Sequence, residues 1–141
     1  MTEPTTPTPF DKIPVLYLDA ETTGYASTAK IVELSLQIGV GNRIVSSFHT
    51  YIDPSPEEVT DAAAEVHGLS QEFLANNAPT IDDIREPVMA FLSSSQWWCI
   101  HNAPFDLRLL RQTFGEGVLP DMQVFDTLTY ARSFLSLKKN R

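Results

Sequence analysis

The chain has 141 residues, 43% of them hydrophobic and 20% charged, which suits one globular domain around a single core and leaves too little for two. A net charge of −8 excludes a broad basic surface for gripping nucleic acid, although not an enzyme whose carboxylates gather cations at one site. No apolar run approaches the length of a membrane span, and the first residues lack the basic and apolar regions of a secretory signal. One cysteine, Cys99, cannot form an internal disulfide, so a cytoplasmic protein without a membrane partner is expected.

Residues 1–12, rich in Pro and Thr without periodicity, predict a disordered tail, with the folded domain over 13–141. "IPVLYLD" reads as a buried strand from Ile13, and "KIVELSLQIGV" and "RIVSSFHTYID" as two more. Gly41-Asn42 between the last two suits a hairpin turn, giving three antiparallel strands. "TDAAAEVHG" is a short helix with Thr60 as its N-cap and Gly68 as its stop, and "SQEFLANN" is another, opened by Ser70. In "TIDDIREPVMAFL", Ile81, Ile84, Val88, Phe91 and Leu92 share a helical face behind a Thr80 cap, and Pro87 predicts a kink. "WWCIH" is a fourth strand, in which alternation puts one tryptophan in the core. Asn102 and Pro104 open the helix "APFDLRLLRQTF", which Gly115 ends, and Asp126 caps a last short helix, "DTLTYARSFL". The order βββ-α-β-α predicts an α/β layer fold: a mixed sheet with packed helices.

The first strand ends unexpectedly on acids. In "VLYLDAETTG", Asp19 and Glu21 are two apart, so both carboxylates point to one face of the sheet end, and Thr22, Thr23 and Gly24 let the backbone turn away. Two unpaired carboxylates repel each other, and the sequence offers no Lys or Arg until Lys30; a hard divalent cation, Mg²⁺ or Mn²⁺, would relieve them. Solvated acids at a strand terminus are the plain alternative. Asp106, in the first turn of the helix after the fourth strand, is placed to converge with them, and three such acids can hold two ions for phosphodiester cleavage. The spacing also faintly resembles the Asp-x-Asp-x-Thr of phosphatases with a nucleophilic aspartate, but Glu replaces the second Asp.

Five segments in this order, "LDAETTG", "FHTYIDP", "EVHGLS", "IHNAPFD" and "DTLTYAR", resemble the DEDD-type 3′–5′ exonucleases of the ribonuclease-H-like fold, which include the proofreading epsilon subunit of bacterial replicative polymerase. The resemblance runs from about residue 13 to the end. It implies that Asp19, Glu21 and Asp106 are catalytic and bind two divalent metal ions. It implies further that Thr22, Thr23, His67 and Phe105 lie around the terminal nucleotide, and that His101, Asn102 and Asp126 brace the site from behind. The implied activity is release of nucleoside 5′-monophosphates from single-stranded DNA 3′ ends in replication or repair, with a polymerase subunit as a partner.

The family continues some tens of residues further, to a His general base and a fourth acidic ligand that none of this chain's residues matches. The domain is therefore expected to be C-terminally truncated, a fragment of a longer exonuclease, rather than half of a two-chain site or a non-catalytic relative. A module that only docks on a polymerase or nuclease, and an exonuclease of short RNA, are the other functions weighed.

Overall fold

The computed structural model describes residues 12–139, with side chains as far as Ser133; all but the last residue of the predicted 1–12 tail lies outside them. The first strand, β1 (Val15–Thr22), pairs antiparallel with β2 (Ile31–Val40), which pairs antiparallel with β3 (Arg43–Tyr51). The helices α1 (Asp61–His67), α2 (Gln71–Asn77) and α3 (Ile81–Leu92) follow, and then β4 (Trp97–Ile100) inserts parallel to β1. The long α4 (Ala103–Phe114) leads through a 3₁₀ turn at Glu116–Val118 to β5 (Gln123–Asp126) and α5 (Thr127–Lys139). The sheet order is β3-β2-β1-β4-β5, the mixed α/β arrangement expected.

A fifth strand was not expected. Four residues with two apolar side chains, "QVFD", carry too little periodicity to read as a strand, and only pairing with β4 makes them one. The predicted kink at Pro87 does not interrupt α3, which runs through it as one element because Ile84, Val88 and Leu92 anchor both halves against the sheet. The hairpin at Gly41-Asn42 and the caps at Thr60, Ser70 and Thr80 form as the sequence indicates, Thr80 within a full capping box with Asp83.

Alternation along the strands sorts the two faces. Leu16 and Leu18 on β1, Leu34, Leu36 and Ile38 on β2 and Trp98 and Ile100 on β4 form the buried side, covered by α3 and by Leu109, Leu110 and Phe114 of α4. Trp98 is the core tryptophan, its Nε1–H donating to the Ser95 carbonyl so that the indole is buried without an orphaned donor, while Trp97 is half-exposed. The opposite face carries Tyr17, Asp19 and Glu21 opposite Gln37, Ser35 and Glu33. Among the described residues, no helix is long and apolar enough to cross a membrane.

Candidate active site

Three strands of the sheet, β1, β4 and β5, run parallel, and their register levels Leu18 with Ile100 and Ile100 with Asp126. Asp19, His101-Asn102 and Asp126 therefore arrive at the same carboxyl-terminal edge, the edge at which open α/β sheets bind ligands. Asp19 and Glu21 line one polar cleft, as their spacing predicts, together with Glu33 and Ser35 of β2. Glu33 was not legible as part of this cleft, because only the β1–β2 register sets it opposite Glu21. Its carboxylate is held 2.7 Å from His49 Nε2.

Asp106 is brought to these acids by the β4–α4 turn and is buried, at 6% exposure. Burial, and then the negative charges of Asp19, Glu21 and Asp126, push its pKa up to about 7. Carboxylates that strain one another in this way fit a divalent cation between them, since hard cations take oxygen ligands and a positive charge reverses the repulsion. Among the described residues, no three His, Cys, Asp or Glu side chains are already gathered around a common metal position, so the acids are close enough to couple electrostatically without being drawn together.

Asp126 fastens the scaffold. Its Oδ1 accepts from the backbone N–H groups of Asn102 (3.0 Å), Leu128 (2.9 Å) and Thr129 (3.4 Å), and its Oδ2 from Ala103 (3.0 Å). One carboxylate thus caps its own helix, as predicted, and the start of α4 as well. Desolvation, the largest single influence, would raise its pKa, but the four N–H donors together outweigh it and hold it below the usual aspartate range. Asn102, read as the cap of α4, makes no side-chain cap bond: it turns the chain with φ 62° and ψ 57°, and Asp126 supplies the acceptor in its place. His101 Nδ1 lies 2.9 Å from Thr127 Oγ1, tying the two strand-to-helix turns together.

The remaining expected site residues divide between cleft and scaffold. Thr22 Oγ1 donates to the Gly24 carbonyl and accepts the Gly24 N–H, a tight turn in which a Cβ on Gly24 would stand 3.0 Å from Thr60 Cγ2. Thr23 is 1% exposed and its hydroxyl accepts the Lys30 N–H, so it braces the loop from inside and has no exposed hydroxyl to offer a substrate. Phe105 is half-buried, packing partly on the core and partly against Tyr25. Cys99 is half-buried, and burial raises its pKa, as suits a structural thiol.

His67 holds two segments at once. Its Nδ1 accepts the Leu69 N–H at 3.1 Å, which leaves the proton on Nε2 to donate to the Thr22 carbonyl at 3.0 Å. The ring therefore pins the end of α1 to the end of β1. Replacing it by Ala should lower unfolding free energy by about 1–2 kcal/mol, the effect of two lost part-buried hydrogen bonds. Denaturant unfolding of His67→Ala at wild-type midpoint would show that the pin contributes nothing.

This mixed sheet, with acids at the ends of its parallel strands, has the ribonuclease-H-like layer fold, and solved structures agree. Product-bound exonuclease I superposes with a TM-score of 0.79 at 13% identity, over 91% of this chain and 33% of that one. Exonuclease X, solved with 5′-overhanging duplex DNA, superposes at 0.63 and 24% identity, over 85% and 63%. Residues 16–141 match the exonuclease (RNase_T) family model, and the chain belongs to that family. Curated relatives include DNA polymerase III PolC-type of Thermotoga maritima, 35% identical over 86% of this chain and 9% of its own length. DNA polymerase III subunit epsilon of Rickettsia conorii is 34% identical over 84% of this chain and 54% of its own, and that of Escherichia coli 30% over 89% and 56%. The chain thus spans about half of the epsilon subunits and a tenth or less of the PolC-type polymerase.

Proposed function

We propose that this domain is a metal-dependent 3′–5′ exonuclease that removes nucleoside 5′-monophosphates from DNA ends, in the cytoplasm and alongside a polymerase subunit. The observation that carries this reading is the placement of a buried Asp106 beside Asp19 and Glu21 at the ends of parallel strands, where burial first, and then the charges of Asp19, Glu21 and Asp126, raise its carboxyl to about 7. Such a cluster is costly to a protein that makes no use of it. Asp19, Glu21 and Asp106 would hold two Mg²⁺ or Mn²⁺ ions, which when bound supply a lowered water pKa and charge stabilisation of the departing oxygen.

In the reaction, water attacks the terminal phosphorus, the P–O3′ bond breaks, and the products are a mononucleotide 5′-phosphate and a strand ending in a new 3′-hydroxyl. Around that centre the chain positions the substrate. Thr22, next in the chain after Glu21 and fixed by its own turn and by the His67 pin on its carbonyl, would contact the terminal nucleotide, and the Phe105 ring would offer it an apolar wall. His49, His67 and His101 are each engaged, with Glu33, Thr22 and Leu69, and Thr127 respectively. None of them is assigned as the general base.

The test is a pair of oligodeoxynucleotides, labelled at either end, incubated with Mn²⁺ or with chelator beside an Asp19→Ala control. A 3′–5′ enzyme gives a ladder of shortening products from the 5′ label and immediate mononucleotide from the 3′ label, both lost in chelator and in the variant. A ladder in the opposite sense, or one that survives Asp19→Ala, would sink the proposal.

A further inference from the structure

Glu33 lines the acid cleft but takes no part in the proposed ligand set. It is the one charged residue of β2, and its neighbours on the same face, Ser35 and Gln37, are neutral. The register sets it directly opposite Glu21, and like charges placed opposite one another on antiparallel strands destabilise the pair. A bulge follows at once. Glu21 faces Glu33 but Thr22 faces Ile31, so Val32 is the extra residue and packs into a separate apolar cluster with Leu69 and Leu74. Bulges of this kind re-aim the side chains beside them.

Glu33 is also held in place. His49 Nε2 lies 2.7 Å from its Oε2, the His49 ring packs edge-on against Tyr51 at 5.1 Å, and Tyr51 packs likewise against Phe73 of α2 at 5.6 Å. Its Oε1 makes no hydrogen bond among the described residues. A half-exposed ion pair adds little stability, so His49 alone does not explain a carboxylate set against a like charge. A cation does. Asp106 is 6% exposed, accepts no hydrogen bond among the described residues and feels the charges of Asp19 and Glu21, so a buried carboxylate without a partner stands beside the cleft. Hard divalent ions such as Mg²⁺ keep part of their water when a protein binds them, which lets a carboxylate outside the ligand set act on the ion at longer range.

We propose that Glu33 is a positioning residue of the divalent-cation site: it adds a fourth negative charge to those of Asp19, Glu21 and Asp106 without joining their ligand set, and His49 fixes the direction of that charge. The inference rests on the metal-dependent reading of the cleft. It makes the affinity for the ion depend on a β2 residue that neither ligates it nor touches the substrate.

The experiment is Mn²⁺ binding to the full chain at pH 8 without nucleic acid, read from the paramagnetic resonance of the free ion, with thermal melting in chelator to confirm folding. Glu33→Gln should weaken binding roughly tenfold, as the loss of an outer partner of a metal site does, and Glu33→Asp should recover part of the loss. Glu86→Gln, the same change of net charge at an exposed position of α3 on the other side of the sheet, should bind Mn²⁺ like wild type. In chelator Glu33→Gln should melt close to wild type, because a half-exposed pair and a like-charge repulsion of similar size are lost together. His49→Phe, which keeps a ring against Tyr51 and releases Glu33, should bind with an affinity between those of wild type and Glu33→Gln. Wild-type affinity in folded Glu33→Gln, or an equal loss in Glu86→Gln, would overturn the role of Glu33, and wild-type affinity in His49→Phe would overturn that of His49. No Mn²⁺ binding by wild type, or undiminished binding by Asp19→Ala, would overturn the metal-dependent reading and this inference with it. Binding that depends on Glu33 in a protein that cleaves no DNA would overturn the nuclease reading alone.

Discussion

Asp106→Asn protein, kept in chelator at pH 8, should melt above wild type while its metal-dependent nuclease activity falls by on the order of 10²–10⁴. The two effects share one cause. In the fold, burial and the charges of Asp19, Glu21 and Asp126 raise the Asp106 carboxyl from 3.8 to about 7. A carboxyl raised on folding contributes its full stability below the unfolded pKa, where it is protonated in both states. That contribution is lost as pH rises through about 4 to 7, because the unfolded chain ionises first, and above about 7 the native state carries the whole penalty. The neutral, isosteric Asn is spared it, so the variant's advantage should be absent at pH 3.5, grow to pH 7 and then level off, reaching a few kcal/mol at most. Adding Mn²⁺ should raise the melting temperature of wild type much more than that of the variant, since an ion bound only by the native state stabilises it by mass action. A stability difference that stays flat from pH 4 to 8 would show that Asp106 is not the strained member of the cluster.

Asp126→Ala should lower the melting temperature by roughly 5–10 °C and depress cleavage as well, although this residue is assigned no direct contact with substrate. The substitution removes the acceptor of four backbone N–H groups at two helix starts, along with the negative charge that complements both helix dipoles. Asp126→Asn is the sharper variant. Its single carbonyl can keep the three donors now on Oδ1, but the amide nitrogen then faces the Ala103 N–H, donor against donor, so α4 should loosen more than α5. Asp106 rides on the first turn of α4, and its displacement predicts a fall in kcat with little change in KM. A carboxyl lowered on folding gives stability that is present above the unfolded pKa and lost as pH falls through the folded one. The gap between wild type and Asp126→Asn should therefore begin to narrow as pH falls below about 4 and close only once pH has passed the still lower folded-state pKa. Hydrogen exchange at Asn102, Ala103 and Leu128 reads the caps directly, and wild-type protection at all three in the Ala variant would remove Asp126 from the scaffold.

The sequence by itself determined what local physics decides. Alternation over β1 put Asp19 and Glu21 on one face, Thr60, Ser70 and Thr80 fixed three helix starts, and Gly41-Asn42 set the hairpin. Each of these rests on contacts within a few residues, so spacing alone reveals it. The tertiary structure decided everything that depends on which strands are neighbours. The strand β5 exists because β4 pairs with it, Glu33 enters the cleft because its register sets it opposite Glu21, and Asp126 caps α4 from 23 residues away. The same distant contacts replaced Asn102 as a cap and gave His67 the Thr22 carbonyl, 45 residues away, as a partner. A side chain's chemistry is written in the sequence, but its pKa, its partner and the face it presents belong to the neighbours that folding brings to it.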